Sequence, residues 1–225
     1  MLITLFNAVL IILITWLAYL YFDLRERAAP VSERYSQLMR GVAAIVDRLE
    51  GYDKEHSREI ASLSKLIGIA AGLNSEQLQS LNAAATLHDI GELLLPRDLF
   101  KSGKKLEGEE FELMRTHTLL GELHLKSHID GLDEVPSLIR WHHERWDGLG
   151  YPDNLKGEEI PVAARIICLA DAISAMNAPR DYRRRQYAQN EDIIAEVKRL
   201  SGMQFDPNLV KYWLDAGAPV ESSKA

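Results

Sequence analysis

A single cysteine, Cys168, in 225 residues excludes an internal disulfide and a zinc site built from thiolates. It is compatible with a reducing compartment, and three residues before Asp171 it reads as a small buried hydrophobe rather than a reactive thiol. A surplus of positive charge is also missing. The 33 acidic and 26 basic side chains give a formal net charge of −7, which excludes duplex nucleic acid such as DNA as a partner class. Internal repeats and stretches with the period-two alternation of a strand are lacking, as is low-complexity sequence beyond a short polar tail at 221–225. The chain is therefore expected to be all-α.

What the chain does have is imidazole and carboxylate clustered in apolar surroundings. His88-Asp89 ends the run Leu81-Asn82-Ala83-Ala84-Ala85-Thr86-Leu87, so an ionised Asp89 needs a partner, and a cation is the most economical one. Asp171 poses the same problem inside 163–173, a helix apolar on most faces. Downstream, His142-His143-Glu144 is followed at once by Asp147-Gly148-Leu149-Gly150-Tyr151-Pro152. Imidazole with carboxylate suits Fe, Mn or Zn.

His56-Ser57, His88-Asp89-Ile90-Gly91, His117 with Gly121, His142-His143-Glu144, Asp147-Gly148, Gly150-Tyr151-Pro152 and Ala170-Asp171 resemble, in order and spacing, the HD-GYP domain. The resemblance runs from about residue 50 to about residue 212 and includes Ile160-Pro161 to Ile166 and Phe205-Asp206-Pro207. It implies an all-α helical bundle of the HD superfamily that hydrolyses cyclic di-GMP at a dimetal centre holding Fe or Mn. By the same resemblance, His56, His88, Asp89 and Asp171 surround one ion, and Asp89 bridges to a second held by His117, His142 and His143. His88 and Asp89 are thereby the catalytic pair. Two such cations lower the pKa of a water between them and stabilise charge developing on phosphoryl oxygens, so no protein nucleophile is required. Arg180 and Arg183 match positions that contact substrate phosphate, a role suited to bidentate guanidinium. Tyr151 is expected to offer a stacking face for substrate, in a loop that the family also uses to dock diguanylate cyclase domains. His124 and His128 fall outside the pattern and are expected on a solvated helix face.

Besides Arg183, where the family more often has lysine, three positions depart from it. Some members carry a glutamate one helical turn before the first histidine, which supports a third ion; Tyr52 stands there, so two ions are expected. Glu92 replaces a lysine that contacts substrate phosphate, and a carboxylate repels what the lysine attracts. Lys101, Lys104 or Lys105 are the candidates to compensate. Ser174 replaces an aspartate near the bridging water and cannot act as a carboxylate base. These changes leave open a weakened module that binds a cyclic dinucleotide or a cyclase without hydrolysing it, or a hydrolase of a related cyclic dinucleotide.

Residues 2–22 carry no charged side chain and are long enough for one transmembrane helix, which needs roughly 20 residues. No basic residue precedes this run and Ala18-Tyr19-Leu20 is not a small-x-small site, which argues against a cleaved signal peptide. Arg25, Arg27 and Arg34 follow it, so the positive-inside rule places the remainder in the cytoplasm, anchored to the inner membrane. The expected organisation is a membrane helix at 1–22, a connecting helix at 23–50, the phosphohydrolase domain at 51–212 and a tail at 213–225. The expected partners are a cyclic dinucleotide, the membrane, and a diguanylate cyclase or second copy of the chain. Within the domain, helices are expected at Ser57–Ala71, after an Asn74/Gln77 capping box, from Glu109 to about Ser127, after an Asp133 cap, after Pro161, at Asn190–Leu200 and from Asp206-Pro207.

Overall fold

Apolar side chains recurring at helical spacing bury one stripe of each helix against its neighbours, and the longest such stripe belongs to the helix that carries Asp171. The computed structural model describes residues 16–17, 19–20, 33–51, 56–100, 106–128, 133–177 and 190–218. The chain falls into two units, Met1–Met39 and Arg40–Ala225. In the first, residues 16–17, 19–20 and 33–39 are helical. No described helix is long and apolar enough to cross a membrane, and most of the expected span at 2–22 lies outside the described residues.

The second unit takes in the end of α1 (33–49), followed by α2 (His56–Ala70), α3 (Ser75–Leu87), α4 (Glu109–Arg115), α5 (His117–His128), α6 (Val135–Trp141), α7 (Val162–Asn177), α8 (Asn190–Leu200) and α9 (Pro207–Asp215). Short 3₁₀ turns occupy Ile90–Leu94, Arg97–Phe100 and Gly157–Glu159. Among the described residues there is no strand, only an isolated bridge between Ser201 and Phe205. Ile166, Ile167, Leu169, Ala170 and Ile173 of α7 are fully buried or nearly so, together with Ile60 and Ile67 of α2 and Leu81, Ala84 and Ala85 of α3. Burying each large aliphatic chain contributes about 1.5–3 kcal/mol. α7 packs on α2 and α3, which places Asp171 beside His56 and the end of α3.

Local signals set several helix ends. Asn74 accepts from the Gln77 N–H at 3.0 Å and Gln77 accepts from the Asn74 N–H at 3.0 Å, the capping box that opens α3. Asp206 caps α9 by accepting from the Asn208 N–H at 2.8 Å. Four expectations need correction. The helix read from Glu109 to Ser127 is broken at Thr116, whose hydroxyl donates to the Leu113 carbonyl at 2.6 Å and competes with the ladder. α6 is entered through Glu134 rather than Asp133, with no side-chain cap and with Pro136 in its first turn. α9 continues to Asp215 and Trp213 is fully buried, so the packed domain runs past residue 212. Residues 40–50, read from sequence as connecting helix, belong to the packed unit. Ala43, Val46 and Asp47 are buried, and Asp47 accepts from the backbone N–H of Ser57 at the start of α2 at 3.1 Å.

The turn after Asp89 requires a glycine. A Cβ on Gly91 would lie 1.9 Å from the His117 carbonyl oxygen and 2.7 Å from the Gly121 nitrogen, both backbone atoms that cannot swing aside. Gly91→Ala is expected to destabilise the protein by about 2–3 kcal/mol, read as a lower urea midpoint, since overpacking against rigid neighbours costs this much. A change below about 0.5 kcal/mol, the range of ordinary surface substitutions, would contradict the packing.

Candidate metal centre

Three helices end where a ligand type begins. α3 stops at Leu87 before His88, α4 at Arg115 just ahead of His117, and α6 at Trp141 before His142. The last carbonyls of a helix have no intrahelical donor, and each of these rings supplies one. His88 Nδ1 lies 3.1 Å from the Ala85 oxygen, His117 Nδ1 2.7 Å from the Met114 oxygen, and His142 Nδ1 2.7 Å from the Ile139 oxygen. A carbonyl only accepts, so Nδ1 carries the hydrogen in all three. In the neutral ring Nε2 is then a lone pair.

Those lone pairs converge on Asp89. Its Oδ2 is 2.7 Å from His88 Nε2, and its Oδ1 is 3.2 Å from His117 Nε2 and 3.6 Å from His142 Nε2. All four side chains are buried, and none of the three Nε2 atoms has a hydrogen-bond partner despite these distances. Acceptors facing a carboxylate at this range repel one another unless a cation sits among them. The residues therefore fit a metal. One donor atom each from Asp89, His117, His142 and His143 lie within 4.8 Å of one another, as do those of a second group, His56, His88 and Asp171.

The second group is held from behind by Ser174. This buried hydroxyl donates to Glu59 Oε2 at 2.7 Å and lies 2.9 Å from His56 Nδ1. Having given its only hydrogen to Glu59, Ser174 accepts from His56 Nδ1–H, which turns the His56 Nε2 lone pair toward Asp171 Oδ1 at 3.7 Å. Sequence reading missed Glu59 because a carboxylate in a first helical turn has an ordinary explanation in the helix dipole.

Without a cation the charges arrange themselves around Asp89. Burial opposes charge on His88, but the Asp89 carboxylate outweighs it and raises the ring to about 10. Burial pushes Asp89 up, while His88, His117 and His142 hold it well below the usual carboxylate range. Asp171 is likewise pushed up by burial but held at about 2 by His56 and His88. His143 is lowered well below its ordinary value by burial and by its histidine neighbours, which keeps it neutral and ready to coordinate.

Tyr151 lies against this cluster. Its ring centroid is 4.9 Å from that of His143, and the Arg115 guanidinium carbon lies 4.6 Å from the same Tyr151 centroid as a cation–π contact. Burial and the carboxylates of Asp89 and Asp171 push its phenol up, so it stays neutral. The loop reaches this position because Gly150 runs against Glu144: a Cβ there would lie 2.5 Å from the Glu144 Cα. Arg115 went unread in the sequence, although it stands two residues before His117. Glu92 proves to be buried beside Asp89 and Glu50, where burial and the charges of Glu50, Asp89 and Asp171 raise its carboxyl well above the ordinary range. Ser174 is in contact with a candidate ligand rather than standing alone. His124 is exposed on α5. Arg180, Arg183, Tyr52, Lys101, Lys104 and Lys105 lie outside the described residues, as does the environment of the His128 side chain.

Because His88 is protonated below about pH 10 in the metal-free chain and a metal-bound imidazole is not, loading with Mn²⁺ at about pH 7.5 is expected to release about one proton per chain. Calorimetric titrations in buffers of different ionisation enthalpy measure this directly. Heats that do not change with buffer would show that no proton is displaced.

Comparison with known proteins agrees with this architecture. The HD domain profile matches residues 42–209. A cyclic di-GMP phosphodiesterase of Thermotoga maritima is 34% identical over 199 residues, covering 86% of this chain and 53% of the relative. The 3'3'-cGAMP-specific phosphodiesterase 2 of Vibrio cholerae is 28% identical over 197 residues, covering 87% of this chain and 36% of the relative. The chain thus spans about half the length, or less, of these curated relatives. Among solved structures, a cyclic GMP-AMP specific phosphodiesterase of V. cholerae, V-cGAP3, superposes with a TM-score of 0.64 at 22% identity over 81% of this chain and 48% of that one, a likeness of fold. With the profile covering most of its length, including every histidine and aspartate of the two clusters, the chain belongs to the HD domain family.

Proposed function

We propose that this chain is a metal-dependent phosphodiesterase of the HD-GYP type that hydrolyses cyclic di-GMP. The observation that carries the reading is the pair of donor groups, Asp89/His117/His142/His143 and His56/His88/Asp171, adjoining at the neighbours His88 and Asp89. One oxygen of Asp89 faces His88 and the other faces His117 and His142, which suits a carboxylate that bridges two cations. Two divalent ions, Fe or Mn, bound there supply the Lewis acidity that makes water nucleophilic at neutral pH and offsets phosphoryl charge.

The protein's own residues prepare the site for that chemistry. Helix-end carbonyls hold three rings with Nε2 inward, and Ser174 with Glu59 does the same for His56. Asp89 and Asp171 remain ionised throughout the neutral range. Tyr151 presents a ring face for a guanine base at the edge of the cluster, and Arg115, partly exposed and stacked on that ring, offers a guanidinium to a phosphate. Arg180 and Arg183 are assigned the same role on the resemblance alone.

A second substrate reading comes from the V. cholerae relative, which is named for 3'3'-cGAMP. It shares the metal chemistry and differs in which bases the pocket accepts. The packed unit from Arg40 onward is proposed as the phosphohydrolase domain, preceded by an inner-membrane anchor at 1–22. The uncharged run at 2–22 and the arginines after it support the anchor and a cytoplasmic domain. Docking of a diguanylate cyclase, or of a second copy, belongs to the same reading.

Metal-loaded chain, prepared anaerobically with Fe²⁺ or Mn²⁺, is expected to convert cyclic di-GMP to linear dinucleotide or GMP on chromatography. His88→Ala and Asp89→Ala are each expected to lose at least about 100-fold in rate, because removing a ligand costs the metal itself. No turnover of cyclic di-GMP or 3'3'-cGAMP by the loaded chain would sink the assignment, and turnover of the latter alone would favour the second reading. For the anchor, the chain expressed in bacteria is expected in the membrane fraction and to resist carbonate extraction, while a version starting at residue 33 stays soluble. Equal solubility of the two would remove the anchor.

A further inference from the structure

Glu92 occupies a place where a carboxylate is hard to explain by packing. It is 4% exposed, and its Oε2 is buried without any hydrogen-bond partner. Leaving such a group ionised and unpaired costs several kcal/mol, on the order of what a whole domain has to spare. The position also has company. One oxygen each from Glu50, Asp89 and Glu92 lie within 4.8 Å of one another. Glu50 reaches this point from the end of α1, which Asp47 ties to the start of α2, and Glu92 reaches it from the 3₁₀ turn that Gly91 packs against α5. Three carboxylates from two separate elements are thus directed at one small volume.

We propose that Glu50, Glu92 and Asp89 form a third divalent-cation site, made of oxygen donors alone, that takes Mg²⁺ or Mn²⁺. Separations up to 4.8 Å match donors arranged around an ion at roughly 2.0–2.5 Å. Carboxylate-only ligation selects hard ions, whereas the two imidazole groups suit Fe, Mn or Zn, so the sites differ in preference. Asp89 is the only residue shared, and with about four lone-pair directions it has room for another ion. Tyr52 offers no carboxylate, and Glu50 and Glu92 supply theirs from other positions. The consequence for charge is a reversal. Where a lysine would bring one positive charge to a substrate phosphate, Glu92 brings a cation of charge two. That role rests on the proposed phosphodiesterase activity; the site itself does not.

The test counts ions. The chain is saturated with Mn²⁺, desalted, and its metal measured by mass spectrometry, and Mg²⁺ is then titrated calorimetrically into chain whose imidazole groups are already filled with Fe²⁺. The parent is expected to carry one more ion than Glu92→Gln, Glu50→Gln or Glu92→Lys, and these three variants are expected to give no Mg²⁺ heat while keeping their remaining metal and circular dichroism. Equal counts in parent and variants would overturn the proposal, with Glu92 then holding a proton in place of a cation. Loss of all metal from all three variants would overturn it too, since the carboxylates would then support the imidazole-bound ions and none of their own. The count is read without nucleotide, so an inactive parent that still holds the extra ion sinks the hydrolase assignment and leaves this site standing.

Discussion

The carboxylate of Asp89 is the constraint around which the domain is built. It is buried among three imidazoles whose Nδ1 hydrogens are already given to helix-end carbonyls, so what faces it is lone pairs. Moving an unpaired carboxylate out of water costs several kcal/mol, against a total stability of about 5–15 kcal/mol for a domain. Only a positive charge within the cluster makes this arrangement tolerable. In the metal-free chain that charge is the proton on His88, whose pKa the Asp89 carboxylate raises against the opposing effect of burial. A divalent cation meets the same demand more completely, because several lone pairs can point at it together.

Much of the surrounding backbone is explained by that demand. Each of three helices stops at a ligand histidine, and the carbonyl that would otherwise lack a donor is the one that fixes the ring. The break at Thr116 belongs to this scheme: a continuous helix would commit the Met114 carbonyl to the ladder and leave His117 free to rotate. Gly91 lets the turn after Asp89 touch the backbone of α5, and Gly150 lets the Tyr151 loop touch Glu144. Further out, Glu59 holds Ser174, which holds His56. The hydrophobic packing of α7 on α2 and α3 supplies the rigidity that makes these orientations persist.

Legibility in the sequence follows the range of the interactions. The all-helical class and the Asn74/Gln77 capping box were readable because they depend on neighbours three or four residues apart. Asp89 and Asp171 were marked on local grounds, because a carboxylate in an apolar helical run calls for a cation, while the histidines were assembled into a ligand list by the resemblance. The split at Thr116 was not readable, since the competing hydrogen bond to Leu113 differs little from an ordinary mid-helix threonine contact until the ring of His117 is placed. Glu50, Glu59 and Arg115 were passed over because nothing local marks them: their neighbours Glu92, Ser174 and Tyr151 are distant in sequence. Ser174 and Glu92 were seen as departures, yet their meaning depended on partners that sequence alone does not bring together.

Glu92 changes the electrostatic logic of the site rather than merely weakening it. In the proposed reading, Asp89, Asp171, Glu50 and Glu92 repel an anionic phosphodiester once all four are ionised, which for Glu92, raised by burial and its acidic neighbours, requires a cation. Each bound divalent ion adds two positive charges against one per carboxylate, so the sign of the field at the substrate depends on how many ions are held. Three ions contribute six positive charges against four carboxylates, a net of two, whereas two ions beside a protonated Glu92 leave four against three, a net of one. A chain with lysine at position 92 would carry a favourable charge there regardless of its metal content. With Glu92 in that place, the proposed third site would tie attraction for a phosphate to occupancy of the carboxylate group and make metal supply a variable that sets affinity for it.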